Sequence, residues 1–291
     1  MNVDKLVEIY YMVDEFLIKF MPYMEKKLLT EPTRKPTRTC SLNLSEIMTI
    51  LIAFHLIGFR NFKMYYIHLE QFHSSEFRTL VSYNRFISLV KRTLVPMYFF
   101  THSLSKTRTG CYFMDSTAIK VCKVQRACSN KVFKSIATKG KTTTGWFFGF
   151  KLHLIVNDLG EIMNFTLTPG RVKDRFPAKS LCKNLIGKVF SDKGYISKEL
   201  FEKLMEKGIE LITHIKKNMK NAFMTLWDKL MLRKRSIIET IIDQLKNISQ
   251  IEHSRHRSIP NFIVNLIAGI TAYGLKEKKP AIANIYTTGL Q

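Results

Sequence analysis

The stretch Gly145–Gly170, GWFFGFKLHLIVNDLGEIMNFTLTPG, decides the fold class. Trp146, Phe148, Phe150, Leu152, Leu154 and Val156 recur at every second position, the period of one face of an extended strand. That reading makes Trp146, Phe148 and Phe150 core residues and sets Lys151 and His153 on the opposite face. Asn157–Gly160 (NDLG) supplies turn residues, and Glu161–Thr168 returns as the second strand of a hairpin, ended by Pro169-Gly170.

Upstream, Thr109–Asp115 (TGCYFMD) alternates Cys111, Phe113 and Asp115 with Tyr112 and Met114, which predicts a strand ending at Asp115. Between it and the hairpin, Lys120–Thr144 carries seven Lys/Arg and reads as a basic loop with Gly140 and Gly145 as flexible points. Downstream, Pro177–Ile186 reads as a helix. The short apolar strand Lys188–Phe190 runs into Ser191–Tyr195 (SDKGY), followed by a helix over Ser197–Lys207 and a strand over Ile209–Ile215. Three antiparallel strands followed by strand–helix alternation give an α/β mixed sheet with helices on its faces. The next periodic stretch, Leu232–Lys246 (LRKRSIIETIIDQLK), is a helix in which Ile238, Ile241, Ile242 and Leu245 form one stripe and Arg235, Glu239, Asp243 and Lys246 the other. Such a charged stripe is ordinarily a solvated ion-pair array.

Residues up to about 105 read as helical: Val3–Tyr23, then a Thr/Pro/Arg-rich linker Thr30–Thr39, then Glu46–Phe59 capped by Ser45. Ser82–Arg92 (SYNRFISLVKR), with basic Arg85, Lys91 and Arg92, fits either a helix that enters a DNA groove or a plain bundle helix. The expected organisation is a helical, DNA-binding domain over 1–106, a catalytic domain over 107–257, and a C-terminal helix with a basic tail over 258–291.

Lys+Arg 46 against Asp+Glu 23 leaves a net charge of +23, which points to a polyanionic partner, nucleic acid first. Five scattered cysteines without CxxC spacing argue against a disulfide framework or a zinc site. The longest apolar run, Ile47–Phe59, falls short of the roughly 20 residues that span a bilayer, so the expectation is a cytoplasmic chain without a membrane partner.

In this order of elements Asp115 ends the first strand, Asp192 follows the fourth, and Glu239 lies on the helix after the fifth. Alone, each has an ordinary reading as a strand terminus, a turn residue or a helix-surface charge. Brought together, bare carboxylates repel and need cations between them, and hard divalent ions with oxygen ligands, Mg²⁺ or Mn²⁺, are the match. Two such ions can clamp an in-line displacement at phosphorus. Asp174, after the TPG turn, is a candidate supporting residue, and a lone sheet histidine such as His153 reads as structural.

These residues sit in motifs that carry a resemblance. MDSTAIKVC (Met114–Cys122), GWFFGFKLHLIVND (Gly145–Asp158), NFTLTPG (Asn164–Gly170), SDKGY (Ser191–Tyr195) and RKRSIIETIIDQLKNISQIEHSRHRS (Arg233–Ser258) resemble the DDE transposases of bacterial insertion sequences, most closely the insertion sequence nine-eighty-two group. The resemblance implies a ribonuclease-H-like, retroviral-integrase-like core, with Asp115, Asp192 and Glu239 as the catalytic, metal-binding triad for two Mg²⁺ or Mn²⁺ ions. A Tyr-x2-Arg-x3-Glu-x6-Lys motif of neighbouring families matches Arg235, Glu239 and Lys246, with Leu232 where the Tyr would stand. The implied partner is DNA, both the terminal inverted repeats and the target, bound by a homodimer or larger assembly. Arg235 and Lys246 would hold phosphates near the ions, Lys216, Lys217 and the basic loop with Lys134 would follow the flanking backbone, and Lys193 is a further DNA-binding residue. Two other readings stay open: a catalytically silent DNA-binding protein, and a ribonuclease-H-type nuclease that does not join strands.

Overall fold

The structure, a computed structural model, describes residues 3–28, 41–143, 145–214, 224–252 and 256–282. The chain divides into two compact units: Met1–Leu104 with Leu245–Leu275, and Ser105–Gln244 with Lys276–Gln291.

The first unit is helical, with α1 Val3–Leu28, α2 Leu44–Ile57, α3 Phe62–Phe72, α4 Tyr83–Leu89, α5 Leu94–Ser103 and α10 Ile259–Gly274. Its centre is α2, buried continuously from Ser45 to His55. The cap of α2 is Asn43 rather than Ser45. The Asn43 side chain accepts from Glu46 N at 2.6 Å, and Glu46 accepts from Asn43 N at 2.7 Å and from Arg78 N at 3.0 Å. Ser45 is the second residue of the helix and donates instead to Asp14 on α1. Helix α10 packs on α2 and α5, where the buried hydroxyls of Thr101 and Thr271 meet at 2.6 Å. His55, buried on α2, faces the Ser249 carbonyl at 2.5 Å. No single helix among the described residues is long and apolar enough to cross a membrane.

The second unit holds one mixed sheet: β1 Cys111–Cys122, β2 Thr138–Thr142, β3 Gly145–Asn157, β4 Ile162–Pro169, β5 Gly187–Ser191 and β6 Ile209–Thr213. Strands β1, β3 and β4 pair antiparallel, and β5 and β6 add in parallel on the other side of β1. The order β4-β3-β1-β5-β6 is that of a ribonuclease-H-like core, with β2 added against the first half of β3. Helices α6 Arg175–Leu181 and α7 Lys198–Met205 cover one face through Met114, Ile155, Val189, Leu181 and Leu204. Helices α8 Leu226–Lys234 and α9 Ser236–Asp243 pack against β5, β6 and β1.

Three details differ from the sequence reading. Strand β1 continues seven residues past Asp115, because β3 keeps pairing with it as far as Cys122. The predicted helix Leu232–Lys246 is broken at Arg235, between α8 and α9, and widens to a π turn over Gln244–Ile248. Trp146 is not core: it is 63% exposed at the end of β3 where, among the described residues, β2 alone pairs with it, while Phe148 and Phe150 are buried as expected.

Candidate active site

Parallel pairing sets the site. β1 and β5 run in register to Met114 opposite Ser191, so the next residue of each strand, Asp115 and Asp192, emerges at the edge where β5 stops. Asp192 is exposed and accepts from Lys193 N at 2.7 Å, which caps the short turn Lys193–Tyr195. Asp115 is only 22% exposed. Burial pushes its carboxyl above the usual carboxylate range; the Ser116 N–H and the Arg235 guanidinium oppose that shift, and the charge of Asp192 adds to it.

Glu239 lies in the first turn of α9, which packs on β1. Arg235 stands at the break just before that helix and joins the two elements. Its Nη1 donates to Asp115 Oδ2 at 3.1 Å and its Nη2 to Glu239 Oε1 at 3.1 Å. The break at Arg235 thus coincides with a guanidinium fork shared between two carboxylates, a planar geometry that lysine could not supply. Leu232, three residues earlier, is buried at 3% exposure and serves as an apolar packing residue.

The donors here are carboxylate oxygens, which suits a hard divalent ion. Among the described residues no three acidic, histidine or cysteine side chains converge as a ready-made metal cage. The cation that answers Asp115 and Glu239 in this structure is Arg235.

Beside Asp115 sits a second polar cluster. Asp174, at the start of α6, accepts from Ser116 Oγ and from Lys151 Nζ, both at 2.9 Å. His153 is fully buried, with Nε2 2.8 Å from Thr168 Oγ1, and burial lowers it to about 4, so it is neutral near pH 7. The Asp174 link to Ser116 has only a weak mark in the sequence, an acidic residue four positions after the TPG turn.

The remaining candidates are dispersed. Lys193 is exposed beside Asp192, and Lys134 is exposed in the segment between β1 and β2. Lys246 lies in the π turn and pairs with Glu252 at 3.3 Å within the helical unit. Lys216 and Lys217 lie outside the described residues.

The site thus combines a ribonuclease-H-like strand order with Asp115 in the central strand and Asp192 just past the end of its parallel neighbour. Residues 105–259, just over half the chain, match the family model described as transposase DDE domain, and the chain belongs to that family. It is a DDE transposase, an enzyme class that uses divalent metal ions. Among solved structures the chain is similar to the piggyBac transposase synaptic complex with hairpin DNA, at 11% identity and a TM-score of 0.45, covering 92% of this chain and 72% of that one. No curated protein matches the chain.

Proposed function

We propose that this chain is an insertion-sequence transposase, of the nine-eighty-two group, that cuts DNA at the ends of its element and joins the freed 3′-OH to a target phosphodiester. The observation that carries the reading is the placement of Asp115 in β1 next to Asp192, which follows the last residue of the adjacent β5, with Glu239 tied to Asp115 through Arg235. Family membership and the net charge of +23 support it.

In this reading Asp115, Asp192 and Glu239 hold two Mg²⁺ or Mn²⁺ ions. Such ions, when bound, polarise phosphoryl oxygens and lower the pKa of a coordinated water. The protein's own part is to place and neutralise. Arg235 releases its carboxylates and turns its fork to a phosphate, for which it is well shaped. Lys193, next to Asp192, contacts the same strand, and Lys246, Lys134, Lys216 and Lys217 follow the flanking backbone without reading sequence. The helical unit, with Arg85, Lys91 and Arg92, recognises the terminal repeats. Holding two element ends requires at least a homodimer, working in the cytoplasm on the nucleoid.

The test is cleavage of element-end DNA with Mg²⁺ or Mn²⁺ by D115N, D192N and E239Q. Each should lose cleavage and keep DNA binding; near-normal cutting by one variant removes that residue from the triad. Adding a 3′-OH end and a plasmid target separates the rivals. Joined products exclude a simple nuclease, while binding without cutting under any divalent metal points to a silent DNA-binding protein.

A further inference from the structure

From Ser116 to Asn157 the chain carries eight cations, Lys120, Lys123, Arg126, Lys131, Lys134, Lys139, Lys141 and Lys151, and no acidic side chain. All but Lys151 are exposed. The hairpin of β2 and the first residues of β3 lies in this segment and extends beyond the part of β3 that pairs with β1. Across it, Lys141 pairs with Trp146 and Lys139 with Phe148, so Lys139, Lys141 and Trp146 share one face. The Lys141 ammonium lies 5.9 Å from the centre of the Trp146 ring.

An indole 63% exposed on so basic a ribbon needs a reason, because tryptophan normally hides most of its surface. The ribbon is also anchored. On its other face Phe147 is buried against Gly140, where a Cβ would lie 2.6 Å from the ring and 2.4 Å from the Gly170 carbonyl. Arg171 N donates to Thr138 Oγ1 at 2.9 Å and Gly170 N to the Gly149 carbonyl at 3.0 Å, so the hairpin is fastened to the turn after β4. An exposed aromatic ring beside lysines in a segment without acidic side chains matches the two needs of a single strand: a surface for a base to stack on and cations for its phosphates. Bases inside a duplex offer no free face to such a ring.

We propose that the β2–β3 hairpin is a stacking platform for an unpaired nucleobase of DNA, with Trp146 against the base and Lys139 and Lys141 on the adjoining phosphates. This rests on the reading that the chain acts on DNA, and adds that its substrate presents unpaired bases, as frayed or nicked ends do.

The chain has two tryptophans, Trp146 and Trp227, so the full-length W227F protein leaves Trp146 as the only indole. Its emission would be titrated with a thymidine oligomer and with a blunt duplex, alongside W146A and W146F affinities for both. The oligomer should quench Trp146, and W146A should lose about ten-fold or more in single-strand affinity, the usual range for removing one stacking aromatic. W146F should lose less, and duplex affinity should stay within about two-fold, as expected for phosphate-dominated binding. Unchanged emission at saturation, or equal losses on both DNA forms, overturns the platform while leaving the DNA reading intact. Dependence on Trp146 for anionic vesicles but not for DNA overturns it in favour of a lipid surface. A wild-type chain that binds neither DNA form overturns the transposase reading itself.

Discussion

Arg235→Ala exposes the relation between the guanidinium and the proposed metal site. In the structure Arg235 is 3.1 Å from both Asp115 and Glu239, with side-chain exposures of 18%, 22% and 59%. The bond to the solvated Glu239 contributes under about 1 kcal/mol. The bond to the mostly buried Asp115 matters more, because its loss strands a carboxylate whose charge is already disfavoured by burial, at a cost of about 1–3 kcal/mol. A net loss of about 2 kcal/mol lowers Tm by about 4–8 °C for a unit of this size. Adding Mg²⁺ at ten times its Kd should return about 1.4 kcal/mol to the variant. The wild type should gain less, since its guanidinium must first leave the carboxylates. The assay is thermal denaturation with and without Mg²⁺ at matched ionic strength, with the D115N/R235A double variant expected to show no Mg²⁺ shift. Equal Mg²⁺ shifts in R235A and wild type would refute the reasoning, because Arg235 and the ion would then not share Asp115.

Two further outcomes concern the helical unit. Burial lowers His55 to about 4, so the fold keeps it neutral while the unfolded chain protonates near 6.5. Its contribution is complete above pH 6.5 and fades as pH falls towards 4, up to about 3 kcal/mol from this group. Urea denaturation at pH 7, 5.5 and 4.5 should give a flatter profile for H55Q, and an unchanged slope counts against the assignment. Glu46→Ala leaves the N–H groups of Asn43 and Arg78 without their acceptor in a buried setting, a cost of about 2–4 kcal/mol. E46Q should lose less, and a denaturation midpoint for E46A close to wild type would show that water replaces the carboxylate.

The sheet was legible because its strands carry apolar residues at period two; the neighbouring places of Asp115 and Asp192 followed from pairing β1 with β5, although β1 runs on past Asp115 instead of ending there. What escaped lacked a local signal. Strand β2 (TKGKT) has no apolar residue, so only its pairing with β3 reveals it. Alternation put Trp146 on a face with Phe148 and could not say that the indole lies exposed at that end of the strand. The stripe Ile238, Ile241, Ile242 and Leu245 begins three residues after Arg235, and the polar run Arg233–Ser236 suits a helix surface as well as a break, so it does not by itself mark the interruption. The interruption is seen only with the contact to Asp115, 120 residues away.

The helical unit is assembled from two stretches of chain separated by the whole sheet. During synthesis α2 and α5 leave the ribosome long before α10, the helix that packs on both. At roughly 5–20 residues per second the wait is on the order of 10–30 s. Throughout that interval the apolar surfaces of α2 and α5 that await α10 are open to other nascent chains or to a chaperone. Moving residues 256–275 to follow Leu104 in a rearranged gene should therefore reduce aggregation during expression without altering the finished helical core.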